Sequence, residues 1–188
     1  MRSAFKEWAV VVDALGRGEQ ILILRKGGLA EGPAGFQVEQ REFLLLPTRF
    51  HQQRERVLPA AQLRYDELAA EASPAETVRL RYCAEVVAWH KLTSLADAER
   101  LRGQHIWRDE VIAERFDWGR EQAIFALALR VRRLPETVEL PLLPAYAGCK
   151  SWIELAESIA VDAAEPVLPD AAFAAKLAAF HAALETPA

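Results

Sequence analysis

Thr77-Val78-Arg79-Leu80-Arg81-Tyr82-Cys83-Ala84-Glu85-Val86-Val87-Ala88-Trp89 is the longest strand signal in the first half of the sequence. It alternates for several residues and is dense in β-branched and aromatic types, which suit a pleated, half-buried surface. Upstream, Gln20-Ile21-Leu22-Ile23-Leu24-Arg25 reads as a short buried strand ended by Gly27-Gly28. Phe36-Gln37-Val38 and Glu42-Phe43-Leu44-Leu45-Leu46 read as two strand segments, or one bulged strand, ending at Pro47. Downstream, the apolar run from Gln122 to Leu134 predicts a strand, and Thr137-Val138-Glu139-Leu140 a further one between Pro135 and Pro141. Helical spacing of Phe5, Trp8, Ala9, Val12 and Leu15 predicts a first helix stopping at Gly16-Arg17-Gly18. A short helix is expected between Gln53 and Glu71, others after Ser94 and Asp109, and an Ala-rich one from Asp170 to Leu184. Ser151 with Glu154 three residues on has the capping-box pattern and predicts a helix to about Ile159. This order gives an α+β class: a small mixed β-barrel flanked by helices. Residues 1–160 are expected to form one domain, and 161–188 an acidic linker and C-terminal helix packed on or tethered to it.

A chain of 188 residues supports one well-buried core, and no apolar run approaches the roughly 18 residues of a membrane helix. The formal charge of -4 is unevenly placed. Residues 151–188 hold six acids against Lys176 alone, leaving 22 basic and 21 acidic side chains in the first 150. Net charge therefore does not exclude a phosphate-bearing partner, though it predicts modest, salt-sensitive affinity. The opening residues lack the apolar core of a signal peptide, so a cytoplasmic location is expected. Cys83 and Cys149 have no metal-ligand spacing and read as free thiols. Phosphate-loop, dinucleotide and nucleophile-elbow patterns are missing from the sequence, and no cofactor is expected.

Several polar clusters follow strand ends. Arg25 and Lys26 precede Gly27-Gly28, where phosphate can approach main-chain N–H groups; the plainer reading is a solvated turn. Thr48-Arg49-Phe50-His51-Gln52-Gln53-Arg54 offers groups that bond base edges and phosphates, with one ring to stack; the alternative is a polar loop. Glu39, Arg41 and Glu42 lie ahead of an apolar strand; Arg41 cannot act as a base, and surface ion pairing is the simpler role. Lys150 precedes Ser151-Trp152 at a predicted helix start, a place for an anion or an ordinary cap.

Phe5-Lys6-Glu7-Trp8-Ala9, Leu24-Arg25-Lys26-Gly27-Gly28, Phe36-Gln37-Val38-Glu39, Phe43-Leu44-Leu45-Leu46-Pro47-Thr48, His51-Gln52, His105-Ile106-Trp107 and Gly148-Cys149-Lys150-Ser151-Trp152 together resemble a bacterial family catalogued as a domain of unknown function, DUF1802. Gly18 to Arg25, and Leu129 to Pro135 followed by Gly148 and Trp152, resemble more distantly the opening and closing of ASCH-type members of the PUA-like superfamily. That resemblance implies a PUA-like or ASCH-like barrel holding RNA or a modified base in a cleft. Some such proteins hydrolyse N-acylated cytidine, but the lysine and threonine this needs correspond here to Gln20 and Ile23, which argues against that activity.

Three functions follow. The preferred one is binding of RNA, single-stranded DNA or a modified base by Arg25, Lys26, Arg41, Thr48, His51, Gln52 and Lys150, with Trp152 or Phe50 stacking. The second is a nuclease or nucleotide hydrolase using Glu39 and His51, needing Mg²⁺ if it is a metal nuclease. The third is a non-catalytic interaction module, with the C-terminal helix as a homodimer surface.

Overall fold

A computed structural model of the chain describes residues 1–26, 31–32, 35–36, 41–71, 77–119, 121–148 and 151–185, with 31–32 and 35–36 described through their backbone alone. In chain order its elements are β1 (Ser3–Trp8), α1 (Ala9–Gly16), β2 (Leu22–Arg25), the two-residue strands β3 (Glu31–Gly32) and β4 (Gly35–Phe36), β5 (Glu42–Thr48), α2 (Pro59–Ala70) and β6 (Thr77–Leu92). There follow α3 (Leu95–Glu99), α4 (Asp109–Asp117), β7 (Ile124–Pro141), β8 (Trp152–Glu154), β9 (Glu165–Pro166) and α5 (Asp170–Glu185). The main sheet runs β2-β7-β6-β5-β1-β8, with β9 added to β7. Among the described residues β1 and β5 pair in parallel and the other neighbours run antiparallel, so the sheet is mixed, and it curls into a half-barrel. The class is α+β, as expected.

Three local expectations change. Residues Phe5 to Trp8 form a strand, not the first turns of a helix. Their spacing of three fits either element, and the decision comes from β5, which pairs Ala4 with Leu44 through Trp8 with Thr48. The helix begins at Ala9 and is buried almost all round, from Val10 to Gly16. At Gly16 a Cβ would lie 2.1 Å from the Tyr82 ring, so glycine there is what lets α1 sit on the sheet. The capping-box stretch after Ser151 is likewise β8, because Ser3, Ala4 and Phe5 pair with Glu154, Ile153 and Trp152. The two strands expected between Gln122 and Leu140 are one long strand, β7. It absorbs Pro135 at an irregularity between the Leu80–Val138 and Tyr82–Arg133 pairs.

Alternation along β1 and β5 feeds two cores. Phe5, Phe43 and Leu45 face the half-barrel interior with α1 and β2, whereas Ala4, Leu44 and Leu46 face a second cluster with Val78, Tyr146 and Ile153. Helix α5 returns to the body: Phe180 is wholly buried in the first core, and Arg130 lies 4.5 Å over Phe173.

The outer strands β2 and β8 are joined by side chains. Arg25, at the end of β2, donates to Glu7 Oε2 at 3.3 Å and to Ser151 Oγ, just ahead of β8, at 2.6 Å, while lying over the Phe5 ring. The Glu7 side chain is fully buried and also accepts the Trp8 N–H at 2.8 Å. Arg115 on α4 donates to the Leu24 carbonyl and packs over Trp8 and Trp107; burial pushes its guanidinium down to about 10, with Glu7 pulling it back up. Removing Arg25 leaves a buried carboxylate without its partner. Arg25→Met is expected to cost about 3–5 kcal/mol in urea denaturation. Replacing Glu7 and Arg25 together by apolar residues should restore much of that loss, and a double mutant no more stable than Arg25→Met would refute the coupling.

His105 is buried, its ring nitrogens make no hydrogen bond with the described residues, and burial pushes its pKa down to about 4. In the unfolded chain it titrates near 6.5, so between these values the unfolded state binds more protons. Its contribution to stability is complete above about pH 6.5 and is lost as pH falls toward 4, by up to about 1.4 kcal/mol per pH unit. Thermal midpoints should therefore drop across this window, and His105→Leu should flatten that part of the profile.

Candidate nucleic-acid interface

Strands β5 and β6 are neighbours only briefly. They pair at Glu42–Glu85, Phe43–Ala84 and Leu44–Cys83, and the register ends there. Past that point β5 stays with β1 and carries Pro47, which has no N–H to offer a ladder. The separation leaves a cleft of about 550 Å³ between the end of β5 and the start of β6. Helix α1, the C-terminal end of α2 and the segment 142–148 complete its walls. Leu46, Val78 and Leu143 supply apolar lining, and Phe50 stands at the cleft with 57% of its surface exposed.

Four cations line this cleft, Lys6, Arg49, Arg79 and Arg81, against two acids, Asp13 and Glu71. Asp13 is held by Arg64 Nε and Nη2, each at 2.9 Å, and these bonds raise the Arg64 pKa further. Arg64 also reaches Glu71 at 3.4 Å, so the acids of the cleft are largely neutralised. Lys6, which alternation sends to the face opposite Glu7, donates to the carbonyls of Tyr146 and Gly148 at 2.9 and 2.6 Å. Arg49 donates to the Leu68 carbonyl at 2.6 Å, and Arg79 pairs with Glu139 at 2.6 Å. Arg81 makes no hydrogen bond or ion pair with any described residue. A guanidinium of this kind in a cleft that also presents an exposed ring suits a phosphate and a base.

The residues singled out from sequence fall in separate places. Thr48 lines the cleft, and its hydroxyl accepts the Phe50 N–H at 3.2 Å. His51, at φ 57°, brings its ring 3.9 Å from that of Phe50. Gln52 has a structural engagement: its side-chain oxygen accepts the Val10 N–H at 3.0 Å at the start of α1, where Trp8 provides no side-chain cap. Arg41 is exposed ahead of β5, with its carbonyl accepting from Val86. Arg25 belongs to the seam described above, as does Trp152, whose ring lies 4.9 Å from Phe5 and 5.0 Å from Phe43. Lys26 Nζ donates to the carbonyls of Phe116 and Glu121. Glu39 and Lys150 lie outside the described residues. Lys6, Arg79 and Arg81 are the cleft cations that sequence reading missed. The alternation of Arg79 and Arg81 with the apolar Val78, Leu80 and Tyr82 carried a signal that both arginines stand off the core. Among the described residues no three His, Cys, Asp or Glu side chains gather as a metal site, and no helix is long and apolar enough to cross a membrane.

No curated protein matches the chain. Among solved structures it is similar to the crystal structure of ASCH from Zymomonas mobilis, with 12% identity and a TM-score of 0.42 over 68% of this chain and 66% of that one. It is also similar to a serine-to-alanine mutant of ASCH from Zymomonas mobilis, with 12% identity and a TM-score of 0.45 over 81% and 87% of the two chains. The pattern of the family described as a domain of unknown function, DUF1802, matches residues 4–179, and the chain belongs to that family.

Proposed function

We propose that the cleft between β5 and β6 binds nucleic acid, RNA or single-stranded DNA, with Arg81 on a phosphate and Phe50 stacked on an unpaired base. The observation that carries this reading is the Arg81 guanidinium, which lines the cleft and is bonded to no described residue. The planar fork of an arginine matches two phosphate oxygens. Thr48 and the rim residue His51 stand close enough to Phe50 to meet the edge of a base stacked on it.

Fluorescence anisotropy with short mixed-sequence oligonucleotides tests the proposal. Binding is expected at low ionic strength and should weaken linearly on a log–log plot as salt rises. Arg81→Ala should weaken it by roughly ten- to a hundredfold, the range for a lost charged hydrogen bond, while Arg81→Lys keeps part of it. Phe50→Ala should cost about 1–3 kcal/mol. No binding, salt-insensitive binding, or an Arg81→Ala protein that binds like the parent would each overturn the reading.

A further inference from the structure

Arg79 and Arg81 both line the cleft from the first half of β6, Arg81 at the irregularity where the register against β7 changes between Leu80 and Tyr82. They differ in what holds them. Glu139 sits directly opposite Arg79 in the β6–β7 ladder, and its Oε1 accepts a hydrogen bond from Arg79 Nε–H at 2.6 Å. Both side chains of this pair are well exposed, at 39% and 54%. An ion pair in such a setting contributes little to stability, so a stronger ligand for the guanidinium can replace it. A phosphodiester is such a ligand, since it offers two oxygens to the fork.

We infer that the cleft takes a nucleic-acid strand carrying at least two successive phosphates along β6, one on Arg81 and the next on Arg79 after displacing Glu139. This rests on the nucleic-acid reading of the cleft. Glu139 is then an intramolecular competitor. It holds Arg79 against adventitious anions, and it makes the second contact available to a ligand already anchored through Arg81. A mononucleotide engages Arg81 alone, whereas a dinucleotide or longer strand engages both and gains from the second site.

The test is competition binding of a nucleoside monophosphate, a dinucleotide carrying two phosphates and a longer single strand to the full chain and to three variants, each first shown folded by its thermal transition. In the parent protein the dinucleotide should bind more tightly than the mononucleotide. Glu139→Gln should tighten the dinucleotide and the longer strand several-fold, leaving the mononucleotide unchanged. Arg79→Ala should erase the advantage of the dinucleotide, and Arg79→Lys should retain part of it. Equal tightening of the mononucleotide by Glu139→Gln would overturn the inference, because both arginines would then share one phosphate. Indifference of the dinucleotide to all three variants would overturn it too while leaving the cleft reading intact. Failure of every ligand to bind the parent protein would instead remove the cleft reading itself.

Discussion

A carboxylate with no exposed surface, Glu7, holds the two ends of the sheet in relation to each other. It sits on β1 between the inner strand β5 and the edge strand β8, and its charge is balanced by Arg25 arriving from the other edge strand, β2. Burying an ion pair is costly unless its remaining hydrogen-bond capacity is filled. Here the second carboxylate oxygen takes the Trp8 N–H, and the second arm of Arg25 reaches Ser151. The bonds that close the half-barrel therefore run through side chains rather than a backbone ladder. A pair of this kind is directional in a way that apolar packing is not, and it fixes which strand end meets which.

The candidate interface depends on that arrangement through the period of a strand. With Glu7 committed to the interior, Lys6 must point to the opposite face, where it ties down the carbonyls of Tyr146 and Gly148. Those carbonyls belong to the segment that forms one wall of the cleft. The same strand holds β5 through the parallel ladder up to Trp8 and Thr48, so β5 follows β1 and parts from β6. The opening is the consequence of a strand with two neighbours whose directions diverge, and Pro47 lies in the part of β5 that has left β6.

Strand β6, the short β2 and the Ala-rich α5 were legible because their residue types and periods agree with their surroundings. Residues Phe5 to Trp8 were not, since a spacing of three is compatible with a helix, and the partner that settles it lies about forty residues away in sequence. Ser151 and Glu154 mimic a helix start for a similar reason: the local pattern is right, but pairing with β1 and the bond from Arg25 prevail. The candidate site was less legible than the fold. Arg25 and Arg81 are both arginines at strand positions, and nothing local distinguishes them. Only the arrival of Glu7 beside one, and the lack of any described partner beside the other, makes the first a structural tie and the second a candidate ligand group. Gln52 shows the same limit, its amide being engaged by the first turn of α1.

The charge distribution follows from this engagement. Few of the basic side chains that matter here are idle: Arg64, Arg54, Arg56, Arg79, Arg102, Arg130 and Arg132 all face carboxylates. With a formal charge of -4, the chain projects little of the long-range field that draws nucleic acid to strongly basic domains. A ligand bearing phosphates must then be held by contacts rather than by field. Contacts of that kind require either an unpaired cation, as at Arg81, or an exchange in which an internal carboxylate gives way. Exchange is energetically feasible only where the internal pair is exposed and weak, which separates the Arg79–Glu139 pair from the buried Arg25–Glu7 pair, although both are single arginine–glutamate contacts. The same two residue types thus serve as a permanent fastening in one place and as a replaceable one in the other, with solvent access deciding between them.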